Sequence, residues 1–151
     1  MTIYFYGCQD ETYGCFSNFS DYGIELDGAW WPTTEHYFQA QKFVRTDADW
    51  AEKIRLARTP GEAKQRGGNR SHPICSDWNV VRDEVMRRAV RKKFETHEEI
   101  RAVLLATGEE EIVENAPRDY YWGCGATGTG KNMLGQILME VREALRSQSA
   151  S

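Results

Sequence analysis

The stretch Trp31-Pro-Thr-Thr-Glu-His-Tyr-Phe-Gln-Ala-Gln-Lys-Phe43 decides how this chain is read. Thr33 and Thr34 are helix-capping residues, and the following residues predict a helix running to about Val44. At 100° per residue, Glu35, Gln39 and Lys42 fall within about 80° of one another, while Tyr37, Ala40 and Val44 share the opposite side. Glu35 and Lys42 stand two turns apart, about 10 Å along the axis, so their long side chains can converge on one ligand. Periodicity alone makes the stripe a solvated face with a helix-supporting Glu35–Gln39 pair. Phe38, set beside the polar residues, pulls against that and suits the wall of an active site.

Working outward, "IYFY" at 3–6 predicts a short strand, and "GIELDGAWW" at 23–31 predicts a hairpin turning at Asp27-Gly28. Helix signals follow. Asp47 to Ala57 predicts a second helix; "TPGE" at 59–62 is a capping box for a third, stopped by Gly67-Gly68. A long helix is expected from Asp77 to about Phe94, with Val81, Val85 and Ala89 inward. "THEE" at 96–99 predicts a further capping box, "EIVE" at 111–114 a short strand, and Leu134, Ile137, Leu138, Val141 and Leu145 one side of a last helix. The expected fold is mainly α, an α+β arrangement with a few short strands near the amino end. A single domain is expected over residues 1–147, with a frayed tail over 148–151.

The chain has 151 residues, a net charge of −4 and 18 aromatic residues (five Trp, seven Tyr, six Phe). That composition excludes disorder and argues against a general nucleic-acid coat, while leaving room for a local basic patch. Cys8, Cys15, Cys75 and Cys124 form no CxxC pair and are expected to be free thiols in a reducing cytoplasm, Cys15 a small buried hydrophobe rather than a nucleophile. His36, His72 and His97 have no ligand spacing with the cysteines, so neither metal nor cofactor is expected. No apolar run reaches membrane length and the amino terminus has no cleavage signature, so no membrane association is expected.

Two further stretches bear on chemistry. "GATGTGKN" at 125–132 matches a phosphate-binding Walker loop at seven of eight positions, with Asn132 where a magnesium-holding hydroxyl belongs. Without a preceding core strand and a βαβ sheet it is not a nucleotide-hydrolysing loop. Two readings remain: an anion site of Gly130 and its neighbours at a helix amino terminus, with Lys131 adding charge, or an ordinary glycine turn. Arg82, Arg87, Arg88, Arg91, Lys92 and Lys93 lie along the long helix, as a solvated face or as contacts for phosphates.

Taken together, "FSNF" at 16–19, "WPTTEHYFQAQKF" at 31–43, "LLATG" at 104–108, "DYYWG" at 119–123 and "GKNMLG" at 130–135 resemble the NADAR superfamily over nearly the whole chain. The resemblance implies N-glycosidase chemistry. One branch of that family hydrolyses phosphoribosylamino-pyrimidine intermediates of riboflavin biosynthesis to ribose 5-phosphate and free base. Another removes ADP-ribose from modified guanine in nucleic acid, and a non-catalytic ADP-ribose-binding module is a third possibility. The implied partner is a small ribosylamine phosphate or an ADP-ribosyl substrate, ADP-ribosylated nucleic acid among them. Carried onto this chain, the pocket residues are Asn18, Glu35, Lys42, Asp119, Trp122 and Asn132. Arg70 also matches, whereas Gly68 stands where the bacterial relative carries arginine. Glu35 suits proton transfer, Lys42 a Schiff-base nucleophile or an electrostatic clamp, Trp122 stacking on the base, and Asp119 the ribose hydroxyls or a second carboxylate.

Overall fold

A computed structural model describes residues 1–149. The chain forms two compact units, one built from residues 1–20 and 94–151 and the other from 21–93.

The second unit opens with the expected hairpin. Strands β1 (Ile24–Leu26) and β2 (Ala29–Trp31) pair antiparallel, with Ile24 opposite Trp31 and Leu26 opposite Ala29. Asp27 and Gly28 make the turn with φ of 55° and 78°, the left-handed backbone that a two-residue turn requires. Helix α1 (Thr34–Gln41) follows, capped by Thr33, whose side chain accepts from the backbone N–H of His36. It ends three residues short of the expected Val44. Helix α2 (Ala48–Arg55) is capped by Asp47, and α3 (Pro60–Gly67) by Thr59 with Pro60 in its first turn. The core of this unit joins Ile24, Tyr37, Ala40, Phe43, Ile54 and Ala63. Tyr37 is anchored at its polar end: its hydroxyl donates to Asp27 at 2.7 Å, and Arg88 donates to both.

Helix α4 (Trp78–Thr96) carries the basic run. Its buried residues are Trp78, Met86, Ala89, Val90, Lys93 and Phe94, with Val81 and Val85 only half-buried, so the inward face is rotated from the expected one. The rotation takes Lys93 inside at 1% exposure and turns Arg88 toward Asp27. The basic run is therefore not one solvated face.

In the first unit, the amino-terminal strand β3 (Ile3–Phe5) and β4 (Ile112–Glu114) pair in parallel. Phe5, Phe16 and Phe94 form an aromatic cluster, with centroids 5.7 Å apart for the first pair and 6.1 Å for the second. Helix α5 (Glu98–Ala106) packs on α6 (Met133–Ser149), whose Leu134, Ile137, Leu138, Val141 and Leu145 are all buried as their spacing predicts. The expected capping box at 96–99 does not form. Helix α4 runs through Thr96, and His97 takes the cap position with no side-chain cap bond. Helix α6 continues to Ser149, into the stretch expected to fray, whose residues 150–151 lie outside the described residues. Among the described residues no helix is long and apolar enough to cross a membrane.

Candidate active site

Helix α1 is buried all round, from Thr34 to Ala40. Glu35 is 7% exposed and Gln39 5% exposed, so the polar stripe is no solvated face. A buried carboxylate needs partners. Gln39, one turn on, supplies one: its Nε2 donates to Glu35 Oε2 at 2.7 Å. That bond fixes the orientation of the Gln39 amide, since only its nitrogen can donate to a carboxylate. The opposite atom, Gln39 Oε1, is buried without a hydrogen-bond partner and faces Gly67 of α3. An unmet carbonyl beside a buried carboxylate is a place for a ligand hydroxyl or N–H.

Lys42 follows the last turn of α1, its Nζ 6.0 Å from the ring centres of both Phe38 and Trp78. The two rings pack on each other with centroids 5.0 Å apart. Burial against them lowers the Lys42 ammonium to about 8; the Arg70 and Lys64 cations push the same way, while Glu35 pulls against them. At pH 7 roughly a tenth of such an amine is neutral and nucleophilic, far more than for an ordinary lysine. Carboxylate, amine and unmet carbonyl thus stand along one helix, with Arg70 Nη1 bonded to Gly67 O at 3.3 Å beside them.

His36, which shares the opening stretch, has a different role. Its Nδ1 accepts from Thr33 Oγ1 at 2.8 Å and its Nε2 donates to Ala57 O at 2.9 Å. Burial holds its pKa below the ordinary value, opposed by the Ala57 bond. It is a neutral strut joining α1 to the end of α2.

The remaining residues singled out in the sequence lie in the other unit. Asn18 is buried just after the turn at Gly14–Phe16. Asp119 Oδ1 accepts from the backbone N–H groups of Tyr121 and Trp122 at 2.9 and 2.8 Å, shaping the turn that presents Trp122. Trp122 is half-buried and meets Tyr121 edge to face.

The glycine loop is organised inward. The N–H groups of Gly130, Lys131, Asn132, Met133 and Leu134 donate to the carbonyls of Cys124, Tyr120, Gly123, Tyr121 and Trp122. The first donors of α6 are thereby taken up by backbone carbonyls. Gly130 is needed for close approach: a Cβ would stand 2.5 Å from Gly123 O. Asn132, at φ 53°, binds β4 with both ends of its amide, accepting from Glu114 N and donating to Ile112 O at 2.9 Å each. These are joints of the fold, and of the two readings of the loop they favour the ordinary turn at residues 130–134. A cavity of about 440 Å³ is lined by Tyr4, Glu111, Lys131, Asn132, Gln136 and Met139 among others.

Sequence reasoning missed Lys64, Gly67 and the stacking role of Trp78. Their link to α1 is made by α3 and the start of α4 packing against it, which no local spacing reveals.

The chain resembles known proteins over most of its length. The NADAR domain family model matches residues 4–146. An N-glycosidase of Nostoc punctiforme, Npun_R5314, is 51% identical over 148 residues, covering 97% of this chain and 94% of the relative. N-glycosidase YbiA of Escherichia coli is 50% identical over 143 residues, covering 95% of this chain and 88% of the relative. The NMR structure of E. coli YbiA superposes with a TM-score of 0.90 at 48% identity, over 99% of this chain and 88% of that one. A riboflavin biosynthesis protein of Vibrio vulnificus, VVA0006, is 41% identical over 147 residues, which span 97% of this chain and 39% of that protein.

Proposed function

We propose, from the premise that this chain belongs to the NADAR family, that it is an N-glycosidase acting on phosphoribosylamino-pyrimidine intermediates of riboflavin biosynthesis. The N-glycosidase names of the Nostoc and E. coli relatives support the reaction class, and the name of the Vibrio relative supports the substrate class. The observation that carries the reading is the buried Glu35–Gln39 pair on the same helix as a lysine whose pKa has fallen to about 8.

In such a substrate the ribose hangs from an exocyclic amine. The neutral Lys42 amine attacks C1 of the sugar as the bond from C1 to the exocyclic nitrogen breaks. The Glu35 carboxylate takes a proton from the attacking amine and passes it to that nitrogen, and the neutral base leaves. The ring C1–O bond then breaks as the C=N bond forms, the second amine proton passes to the ring oxygen, and Lys42 holds the opened sugar as an imine. Water adds to the imine carbon, Glu35 passing its proton to the lysine nitrogen, and collapse moves the new hydroxyl proton to that nitrogen and releases ribose 5-phosphate and the free lysine. The unmet Gln39 Oε1 accepts from a sugar hydroxyl, while its Nε2 keeps the Glu35 carboxylate aimed. Arg70 and Lys64, the cations acting on Lys42, receive the phosphate. Asn18, Asp119 and Trp122 are proposed as substrate contacts on the family resemblance alone, and they belong to the unit that also holds the turn of Gly130, Lys131 and Asn132.

Incubation with a phosphoribosylamino-pyrimidine, followed by chromatography, is the test. Release of free base with stoichiometric ribose 5-phosphate is expected. Turnover confined to an ADP-ribosylated guanine oligonucleotide would move the chain to the other branch of the family, and tight ADP-ribose binding without turnover of either would make it a binding module.

A further inference from the structure

Arg70 sits in the segment between α3 and α4, residues 68–77, and among the described residues its guanidinium makes one long hydrogen bond, to Gly67 O. Its aim therefore depends on how that segment is held. The segment is fastened along residues 42–50: Cys75 N donates to Lys42 O at 2.8 Å, Thr46 Oγ1 donates to Pro73 O at 2.6 Å, and Arg45 pairs with Asp77.

The strongest fastening is centred on Trp50. Its Nε1 donates to Arg66 O at 3.1 Å, and its ring lies flat on His72, with centroids 3.9 Å apart and planes 5° from parallel. His72 Nδ1 bonds Asp47 Oδ2 at 2.7 Å, and Asp47 Oδ1 accepts from Trp50 N at 3.1 Å, which closes a ring of contacts. The two attachment points, Arg66 and His72, bracket Arg70 in the sequence. One indole thus holds the chain on both sides of the cation.

We infer that Trp50, His72 and Asp47 form a clamp that positions Arg70, setting affinity for the phosphate end of the substrate without touching the reacting atoms. The inference rests on the reading of Arg70 as a phosphate contact. A bond-making cation displaced by a fraction of its reach loses binding while the chemistry at Glu35 and Lys42 continues.

The test measures kcat and KM for His72→Ala, His72→Phe and Arg70→Ala, and for the Arg70→Ala, His72→Ala double variant, on phosphorylated and dephosphorylated ribosylamine substrates. His72→Ala is expected to raise KM for the phosphorylated substrate roughly tenfold, with kcat within about twofold and the dephosphorylated substrate unaffected. His72→Phe keeps the ring stack and is expected to recover part of the loss, which also guards against a folding defect. In the Arg70→Ala background His72→Ala is expected to add nothing. Additive effects, or equal losses on both substrates, would overturn the clamp while leaving the phosphate reading intact. An unchanged KM in Arg70→Ala alone would remove the phosphate reading and the clamp with it.

Discussion

Lys42 holds its Nζ 6.0 Å from the centres of two aromatic rings and feels the Arg70 and Lys64 cations, and its pKa is lowered accordingly. Its pKa falls from 10.5 to about 8, chiefly by burial, with Arg70 and Lys64 adding to the fall and Glu35 opposing it. The sign of the pH dependence follows. If the neutral amine attacks, kcat/KM rises about tenfold per unit as pH climbs toward 8 and levels above it. A lysine acting as a charged clamp reverses that profile, with activity falling above about 8. The nucleophilic role also leaves a chemical trace. Borohydride added during turnover is expected to reduce the imine and leave a sugar on the peptide containing Lys42, detected by its mass. Inactivity of Lys42→Ala without any such adduct would point to the clamp.

Between helices, the contact of α3 with α1 is set by the absence of a side chain. A Cβ on Gly67 would stand 2.0 Å from Gln39 Oε1 and 2.7 Å from its Cδ, so alanine there must displace the amide that aims Glu35. Gly67→Ala is expected to slow turnover roughly 10- to 100-fold. Gly61→Ala, on the same helix, brings its Cβ only to 3.9 Å from Thr59 Oγ1 and serves as the control, with activity unchanged. At the start of α6 the expectation is different. Asn132→Ala loses two bonds to β4 and forces alanine into a left-handed backbone, at a cost of about 2–4 kcal/mol in urea unfolding, with kcat/KM of the folded protein little altered. Lost turnover at wild-type stability would make Asn132 a substrate contact instead. These elements also show what local sequence conveys. Thr33, Asp47 and Thr59 announce their helices because a cap is a contact made within three residues. "THEE" misleads because α4 extends into its first residue, Thr96, and the cap position falls to His97. The glycine loop resembles an anion site in composition, yet the N–H groups of residues 130–134 donate to carbonyls of 120–124, a pairing that spacing does not encode.

On the scale of the whole chain, the mainly helical α+β class, the Asp27-Gly28 hairpin and the buried stripe of α6 follow from pattern, since each depends on a repeat of two or three to four residues. Glu35 and Gln39 were visible as a stripe, but their burial was not, because it depends on neighbours from α3 and the start of α4. The cations around Lys42 come from residues 64 and 70, beyond any local window. The central claim is that this buried stripe breaks the ribosylamine bond, and Glu35→Gln tests it most directly by keeping the shape and removing the proton. Single-turnover release of free base from a phosphoribosylamino-pyrimidine should fall by about 10²–10⁴ in this variant, with its thermal melt close to wild type. Base release at the wild-type rate by Glu35→Gln would contradict the account.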